Sequence, residues 1–184
     1  RVAICHSLGS HLIDKEVLHS ATHVVLINSF SRFIPSSKEN RPIKLALNRM
    51  MNAIDSPNEA AMLRKFQIKA YKPNYIDLES SESNLLHISH SGRLRLKNDL
   101  KLLMNSDSLP NGLNNSSKVL IINSEQDYIL TNQTKEKLAE DLKSHLEDAP
   151  TTINLKDEGH SITKIKNIKK VKQWLEFDHA KNMV

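Results

Sequence analysis

The stretch Val2-Ala3-Ile4-Cys5-His6-Ser7-Leu8-Gly9 decides how the rest of the chain reads. Four apolar residues end abruptly at a polar pair, and glycine follows two positions after Ser7. A short buried strand that turns sharply into a helix has this pattern. In such a turn the backbone of the central residue is strained, and the residues two before and two after it are expected to be small. Gly9 meets that demand; Cys5 is small without being glycine. The helix start behind Ser7 would aim the Leu8 backbone N–H at a developing oxyanion. A plain Ser-x-Gly helix start uses the same residues, so the stretch needs support from elsewhere.

That support begins with other apolar runs. His23-Val24-Val25-Leu26-Ile27 and Lys118-Val119-Leu120-Ile121-Ile122-Asn123 are β-rich and almost unbroken. Such runs are usual in parallel sheets covered on both faces. A helical pattern with Leu12, Ile13, Val17 and Leu18 on one face links the first two runs, giving a right-handed βαβ unit. A weaker strand, Thr151–Leu155, follows Pro150. Helices are expected over about 133–146 and about 167–177, the last packing Ile168, Val171, Trp174 and Leu175. The expected fold class is α/β, a parallel sheet with helices on both faces.

Between the second and third runs the pattern changes. Residues 30–41 read as loop, and Pro42 can open a helix carrying Ile43, Leu45, Ala46, Leu47, Met50, Met51 and Ile54. Ser56-Pro57-Asn58-Glu59 suggests a capping box. The helix behind it carries Met62, Leu63, Phe66 and Ile68 and stops before Pro73. Residues 74–84 are polar, and another helix is expected over Leu94–Met104. Three helices inserted between strands suggest a cap. The expected division is a core over 1–29, a helical cap or lid over 30–110, and core again over 111–184.

Composition narrows the classes. The chain has 184 residues, 39% hydrophobic and 26% charged, which suits one globular domain. No apolar run reaches the roughly 20 residues of a membrane helix. The single cysteine excludes an internal disulfide framework and a multi-thiolate zinc site. Four glycines leave no phosphate-cradling loop. The chain opens at Arg1 in mid-strand, without a start methionine or signal peptide. It reads as a fragment, expected to be poorly soluble and nearly inactive alone. Cytoplasmic location is the expectation from absent signals and a lone thiol.

Net charge is 26 − 21 = +5, and its distribution is uneven. Residues 31–104 hold 13 Lys/Arg against 7 Asp/Glu, a local +6, so the remainder is −1. A solvated basic face and a docking surface for an acidic partner both fit. Few aromatics and no nucleic-acid-binding motif argue against nucleic acid.

Two further residues follow strands as Ser7 does. Asp127 lies four residues beyond Asn123, and His160 follows Gly159 after Thr151–Leu155. Parallel sheets gather ligands and chemistry at the carboxyl ends of their strands. A hydroxyl, an imidazole and a carboxylate there supply a nucleophile, its base and the acid that orients the base. Asp127 also suits a loop residue capping the next helix, and Asp107 is the reserve carboxylate. Of the 9 histidines, only His160 follows a glycine. His6 is expected to point away from Ser7. His11, His19 and His23 suit packing or surface positions, as do His145 and His179, while His87 and His90 lie in the cap. No histidine–carboxylate spacing suggests a metal, and no cofactor is implied.

The elbow Cys5-His6-Ser7-Leu8-Gly9, Asp127 after Val119–Asn123, and Gly159-His160 together resemble the α/β-hydrolase superfamily, whose chain order is Ser, Asp, His. The resemblance spans the whole chain but only strands five to eight of that fold. It implies that four strands, and the loop supplying a second oxyanion donor, lie outside this sequence. It implies a serine carboxylesterase using Ser7, His160 and Asp127, with Leu8 in the oxyanion site. Within the superfamily the cap and spacing look most like the carboxylesterase that demethylates pimeloyl-acyl-carrier-protein methyl ester in biotin synthesis. That resemblance implies an acyl ester substrate and an acidic carrier at the cap, with Arg41, Arg49, Arg64, Arg93 and Arg95 as candidate contacts. Cys5 departs from the glycine usual there. Other hydrolases of the fold (lipase, thioesterase, peptidase, acyltransferase) and a non-catalytic binding module remain open.

Overall fold

The computed structural model describes residues 1–36, 40–75 and 88–181. Four strands, β1 (Val2–His6), β2 (His23–Ile27), β3 (Lys118–Ser124) and β4 (Thr151–Leu155), form one parallel sheet in that order. The register sets Cys5 beside Leu26, Leu26 beside Ile121, and Ile121 beside Thr152. The helices are α1 (Gly9–Leu12), α2 (Lys15–His19), α3 (Asn40–Ala53), α4 (Glu59–Tyr71), α5 (His90–Asn105), α6 (Asn132–His145) and α7 (Ile165–Lys181).

Side chains alternate across the sheet, and each face finds a helical partner. Ala3, Cys5, Val24, Leu26, Val119 and Ile121 pack with Leu18 of α2 and Leu138 and Leu142 of α6. Val25, Leu120, Ile122 and Leu155 pack with Val171, Trp174 and Leu175 of α7. Burial on both faces is why β2 and β3 are continuously apolar rather than alternating. Each of their buried Val, Leu and Ile side chains contributes about 1.5–3 kcal/mol of transfer free energy. β1 is covered on one face only, so Val2 and Ile4 are exposed.

Several local expectations are corrected. The link from β1 to β2 is two short helices, not one helix carrying Leu12, Ile13, Val17 and Leu18 on a single face. Asp14 caps α2 by accepting from the Glu16 and Val17 amides, at 2.8 and 3.3 Å, after Ile13 has left helical geometry. An aspartate that caps a new helix competes with continuation of the old one. Leu12 and Val17 therefore face outward, and Leu18 alone of the four expected residues is fully buried. The capping box at Ser56 does not form either. α4 starts at Glu59, whose carboxylate accepts from the Asp55 amide at 2.6 Å, while the Ser56 hydroxyl donates to Ala53 O at 2.7 Å. α5 starts earlier than expected, because the Ser89 hydroxyl accepts from the Gly92 amide at 3.1 Å.

Helices α3, α4 and α5 lie between β2 and β3 in sequence and share a separate apolar cluster. Leu47, Ile54 and Leu100 pack there with Phe30, Phe33, Ile34 and Leu130. Leu8 and Ile129 touch the same cluster from the sheet's carboxyl edge. Glu59 is buried and takes a two-pronged ion pair from Arg93, with Nε at 2.8 Å and Nη2 at 3.0 Å, tying α4 to α5. The end of α4 meets the loop after β4. The Ser161 amide donates to Ala70 O at 2.9 Å. Gly159 lies so close to Lys72 O that a Cβ there would sit 1.7 Å from it, so only glycine fits.

Candidate active site

β1 delivers Ser7 into a left-handed backbone conformation, φ +53°. For a residue with a side chain this costs about 1–3 kcal/mol and persists only where the surroundings impose it. The Ser7 amide donates to Ile27 O at 2.9 Å. Its carbonyl accepts from the Ser29 hydroxyl at 2.8 Å. That bond uses the one proton of Ser29, so Ser10 is the donor in the 2.7 Å contact between the two hydroxyls. The requirement for small flanking residues holds on one side only. Cys5 is buried in the core, whereas a Cβ on Gly9 would meet nothing within 4 Å.

Three strand ends converge on this turn. His160 Nε2 lies 2.9 Å from Ser7 Oγ, and His160 Nδ1 lies 2.8 Å from Asp127 Oδ2. A carboxylate only accepts, so Nδ1 carries the proton and Nε2 faces the serine hydroxyl as a base. Asp127 Oδ1 accepts from the Ile129 and Leu130 amides at 2.7 and 3.0 Å. Burial opposes the Asp127 charge, but the His160 bond and these amides outweigh it and hold the carboxyl below its usual pKa. The side chains of Asp127 and His160 are 0% and 4% exposed, so this chain of bonds is shielded from competing water. The array can take a proton from a serine hydroxyl while a fixed carboxylate balances the imidazolium charge.

No family model matches the sequence, and a search of curated proteins gives no match. Solved structures do match. An esterase from Exiguobacterium antarcticum superposes with a TM-score of 0.63 at 12% identity, over 95% of this chain and 65% of that one. An esterase from Rhodococcus sp. ECU1013 gives 0.60 at 11% identity, over 95% and 64%. The enol-lactonase from Burkholderia xenovorans LB400 gives 0.58 at 14% identity, over 96% and 63%. This is a partial α/β-hydrolase fold. The chain spans about 65% of the length of the Exiguobacterium structure and similar shares of the other two.

Within this α/β-hydrolase fold, Ser7, Asp127 and His160 follow β1, β3 and β4. Leu8 is the N-cap of α1, immediately behind the strained serine. The reserve carboxylate Asp107 is exposed and pairs by backbone with Arg32, while the two His160 ring nitrogens bond to Asp127 and Ser7. Asp127 does not cap α6; Thr131 does, accepting from the Thr134 amide at 3.2 Å. The His6 side chain bonds to His160 rather than to Ser7: its Nε2–H donates to the His160 carbonyl at 2.8 Å, and the two rings lie 5.0 Å apart. His11 and His145 donate to backbone carbonyls of Phe30 and Leu113. His87 lies outside the described residues, as does the side chain of His179. Arg41, Arg49, Arg64 and Arg95 are exposed on α3, α4 and α5, whereas Arg93 is committed to Glu59. Among the described residues no helix is long and apolar enough to cross a membrane.

Sequence reasoning missed the residues that hold this site in place. Asn28, fully buried at the end of β2, donates to the His160 carbonyl at 2.7 Å. Glu158, at 0% exposure, accepts from the Lys164 amide at 2.8 Å and from Asn167 and Asn74 at 3.0 Å, bracing the loop that carries His160. Lys135, also buried, donates to Ser124 O at 2.6 Å beneath Asp127. Burial lowers its pKa, against the opposing pull of Asp127 and Glu125. For Asn28 the available signal was a polar residue placed directly after the apolar run His23–Ile27; Glu158, in a loop, and Lys135, inside α6, carried no such signal.

Proposed function

We propose that this chain carries the catalytic residues of a serine hydrolase acting on carboxylic esters. The observation that carries the reading is the continuous chain of bonds from Ser7 Oγ through the His160 ring to Asp127, at 2.9 and 2.8 Å. Ser7 Oγ attacks the ester carbonyl carbon while His160 Nε2 takes its proton. Asp127 keeps the imidazole in the productive tautomer and balances its positive charge. The Leu8 N–H donates to the oxyanion; a donor of this kind is worth about 10²–10³ in kcat. The alcohol then leaves with the proton from His160. Water, deprotonated by His160 in turn, releases the acid and restores Ser7.

The substrate we propose is an acyl ester presented by an acidic carrier, with pimeloyl-acyl-carrier-protein methyl ester as the specific candidate and the helical segment over 30–110 as the lid. Two features support this. Met50, Met51, Met62 and Met104 join the apolar cluster that reaches Leu8 beside Ser7, and adaptable thioether side chains suit an acyl chain. Arg41, Arg49 and Arg95 are exposed on α3 and α5. In the full-length protein Ser7→Ala is expected to abolish hydrolysis of short p-nitrophenyl esters; unchanged turnover overturns the assignment of Ser7. Replacing Arg41, Arg49 and Arg95 with Glu is expected to slow hydrolysis of the carrier-bound methyl ester while sparing the free methyl ester. Equal effects on both remove the carrier.

A further inference from the structure

We propose that Asn28 and Ser29, consecutive residues at the end of β2, are positioning residues that fix the distance between Ser7 and His160 from the backbone side. The inference rests on the hydrolase reading of those two residues. Ser29 donates to the Ser7 carbonyl at 2.8 Å. Asn28 Nδ2 donates to the His160 carbonyl at 2.7 Å and lies 3.2 Å from the Gly159 carbonyl. Two neighbouring side chains thus hold the main chains of the serine and of its base, which lie 153 positions apart.

The pair is itself anchored to the centre of the sheet. The Asn28 amide donates to Ile122 O at 2.8 Å, and Asn28 Oδ1 accepts from the Ser124 amide at 2.8 Å. Asn28 Nδ2 also reaches the Ser124 hydroxyl at 2.9 Å. Its φ of +41° turns the chain sharply between the two residues, a conformation that asparagine accepts more readily than most. Both residues are 0% exposed, so water cannot substitute for either donor. The second lone pair of the His160 carbonyl is taken by His6. Neither Asn28 nor Ser29 has a recorded bond to Ser7 Oγ or to a His160 ring nitrogen. They act through the backbones of the groups that react.

This arrangement has a kinetic consequence. Ser7 holds a strained φ only while its carbonyl and amide are restrained. The proton transfer needs the 2.9 Å separation to His160. Misplacement of reacting groups by about 1 Å lowers rates by about 100-fold.

The test uses the full-length protein and the rate of covalent labelling of Ser7 by a fluorophosphonate. Ser29→Ala removes the hydroxyl without adding volume. Asn28→Gly removes the amide and still permits positive φ. Both are expected to slow labelling by about 10- to 100-fold. With a p-nitrophenyl ester, kcat is expected to fall while KM stays within about twofold, since neither residue is assigned to substrate binding. Ser29→Thr, which keeps the hydroxyl, is expected to recover most of the rate. Folded variants labelled at the wild-type rate overturn the positioning role alone, and so does failure of Ser29→Thr to recover the rate. If Asn28→Gly does not fold, the two Ser29 variants decide. Loss of folding in Ser29→Ala as well assigns the pair to stability and overturns the inference. A full-length wild-type protein that takes no label refutes the hydrolase reading, and with it this one.

Discussion

Asp127 accepts the Nδ1–H of His160 across 2.8 Å with its carboxylate wholly buried, so the tautomer of the imidazole is set by one contact. Asp127→Asn can bond the same nitrogen through either end of its amide. An amide that donates to Nδ1 forces the proton onto Nε2, where it faces Ser7 and blocks base catalysis. We expect kcat for a p-nitrophenyl ester to fall by about 10⁴-fold with KM little changed. Steady-state kinetics on the folded variant check this.

Acid sensitivity follows from the same carboxylate and from Glu158. Burial opposes the charge on each, yet their hydrogen bonds outweigh it, so both titrate below ordinary values in the folded chain. The unfolded chain therefore binds their protons first as pH falls. Their stabilisation is complete above the usual carboxylate range and is lost as pH drops through the depressed folded values. Urea unfolding midpoints are expected to fall between about pH 5 and about pH 3, and less steeply in Asp127→Asn.

Glu158 makes a separate prediction near neutral pH. Glu158→Gln keeps the volume but replaces an acceptor-only carboxylate, and its new NH₂ faces either the Asn74 and Thr163 donors at the Oε2 position or the Asn167 and Lys164 donors at the Oε1 position. A loss of about 1.5–3 kcal/mol is expected from the charge-assisted bonds. The loop carrying His160 loosens with it, so denaturant melts and kcat should fall together.

Strain at Ser7 can be measured by comparing two inactive variants. Ser7→Ala and Ser7→Gly both lose the bond to His160, but only glycine adopts φ +53° freely. Relief of about 1–2 kcal/mol exceeds the extra unfolded-state entropy of glycine, about 0.5–1 kcal/mol. Ser7→Gly is expected to melt about 1–4 °C above Ser7→Ala. Equal melting temperatures would limit the strain to about the entropy cost of glycine, about 0.5–1 kcal/mol, and contradict the larger relief expected.

Cys5 is buried beneath the same turn, and burial pushes its thiol pKa up. A protonated, covered thiol is a poor nucleophile. Reaction with a disulfide reagent is expected to be slow in the native chain and fast in denaturant. Rapid native reaction would place Cys5 at the surface.

Residues whose environment is set by local pattern were legible in the sequence. Val24–Leu26 and Val119–Ile122 declare buried parallel strands by being apolar on both faces. Ser7, Asp127 and His160 were found because each lies at or shortly after the end of a strand. What was not legible depends on partners remote in sequence. Asn28 resembles any loop asparagine until Ser124 and His160 are placed beside it. Glu59 looks like a capping residue until Arg93 arrives from another helix, 34 positions on. The break at Asp14 was hidden because Leu12, Ile13, Val17 and Leu18 fit one helix by spacing alone.

The central claim is that Ser7 is a nucleophile activated by His160. It is tested most directly by treating the full-length protein with a fluorophosphonate and mapping the adduct by peptide mass spectrometry. The account predicts one adduct, on Ser7, that is lost in Ser7→Ala and falls steeply in His160→Ala. No adduct on Ser7, or one that forms equally fast without the His160 imidazole, would contradict it.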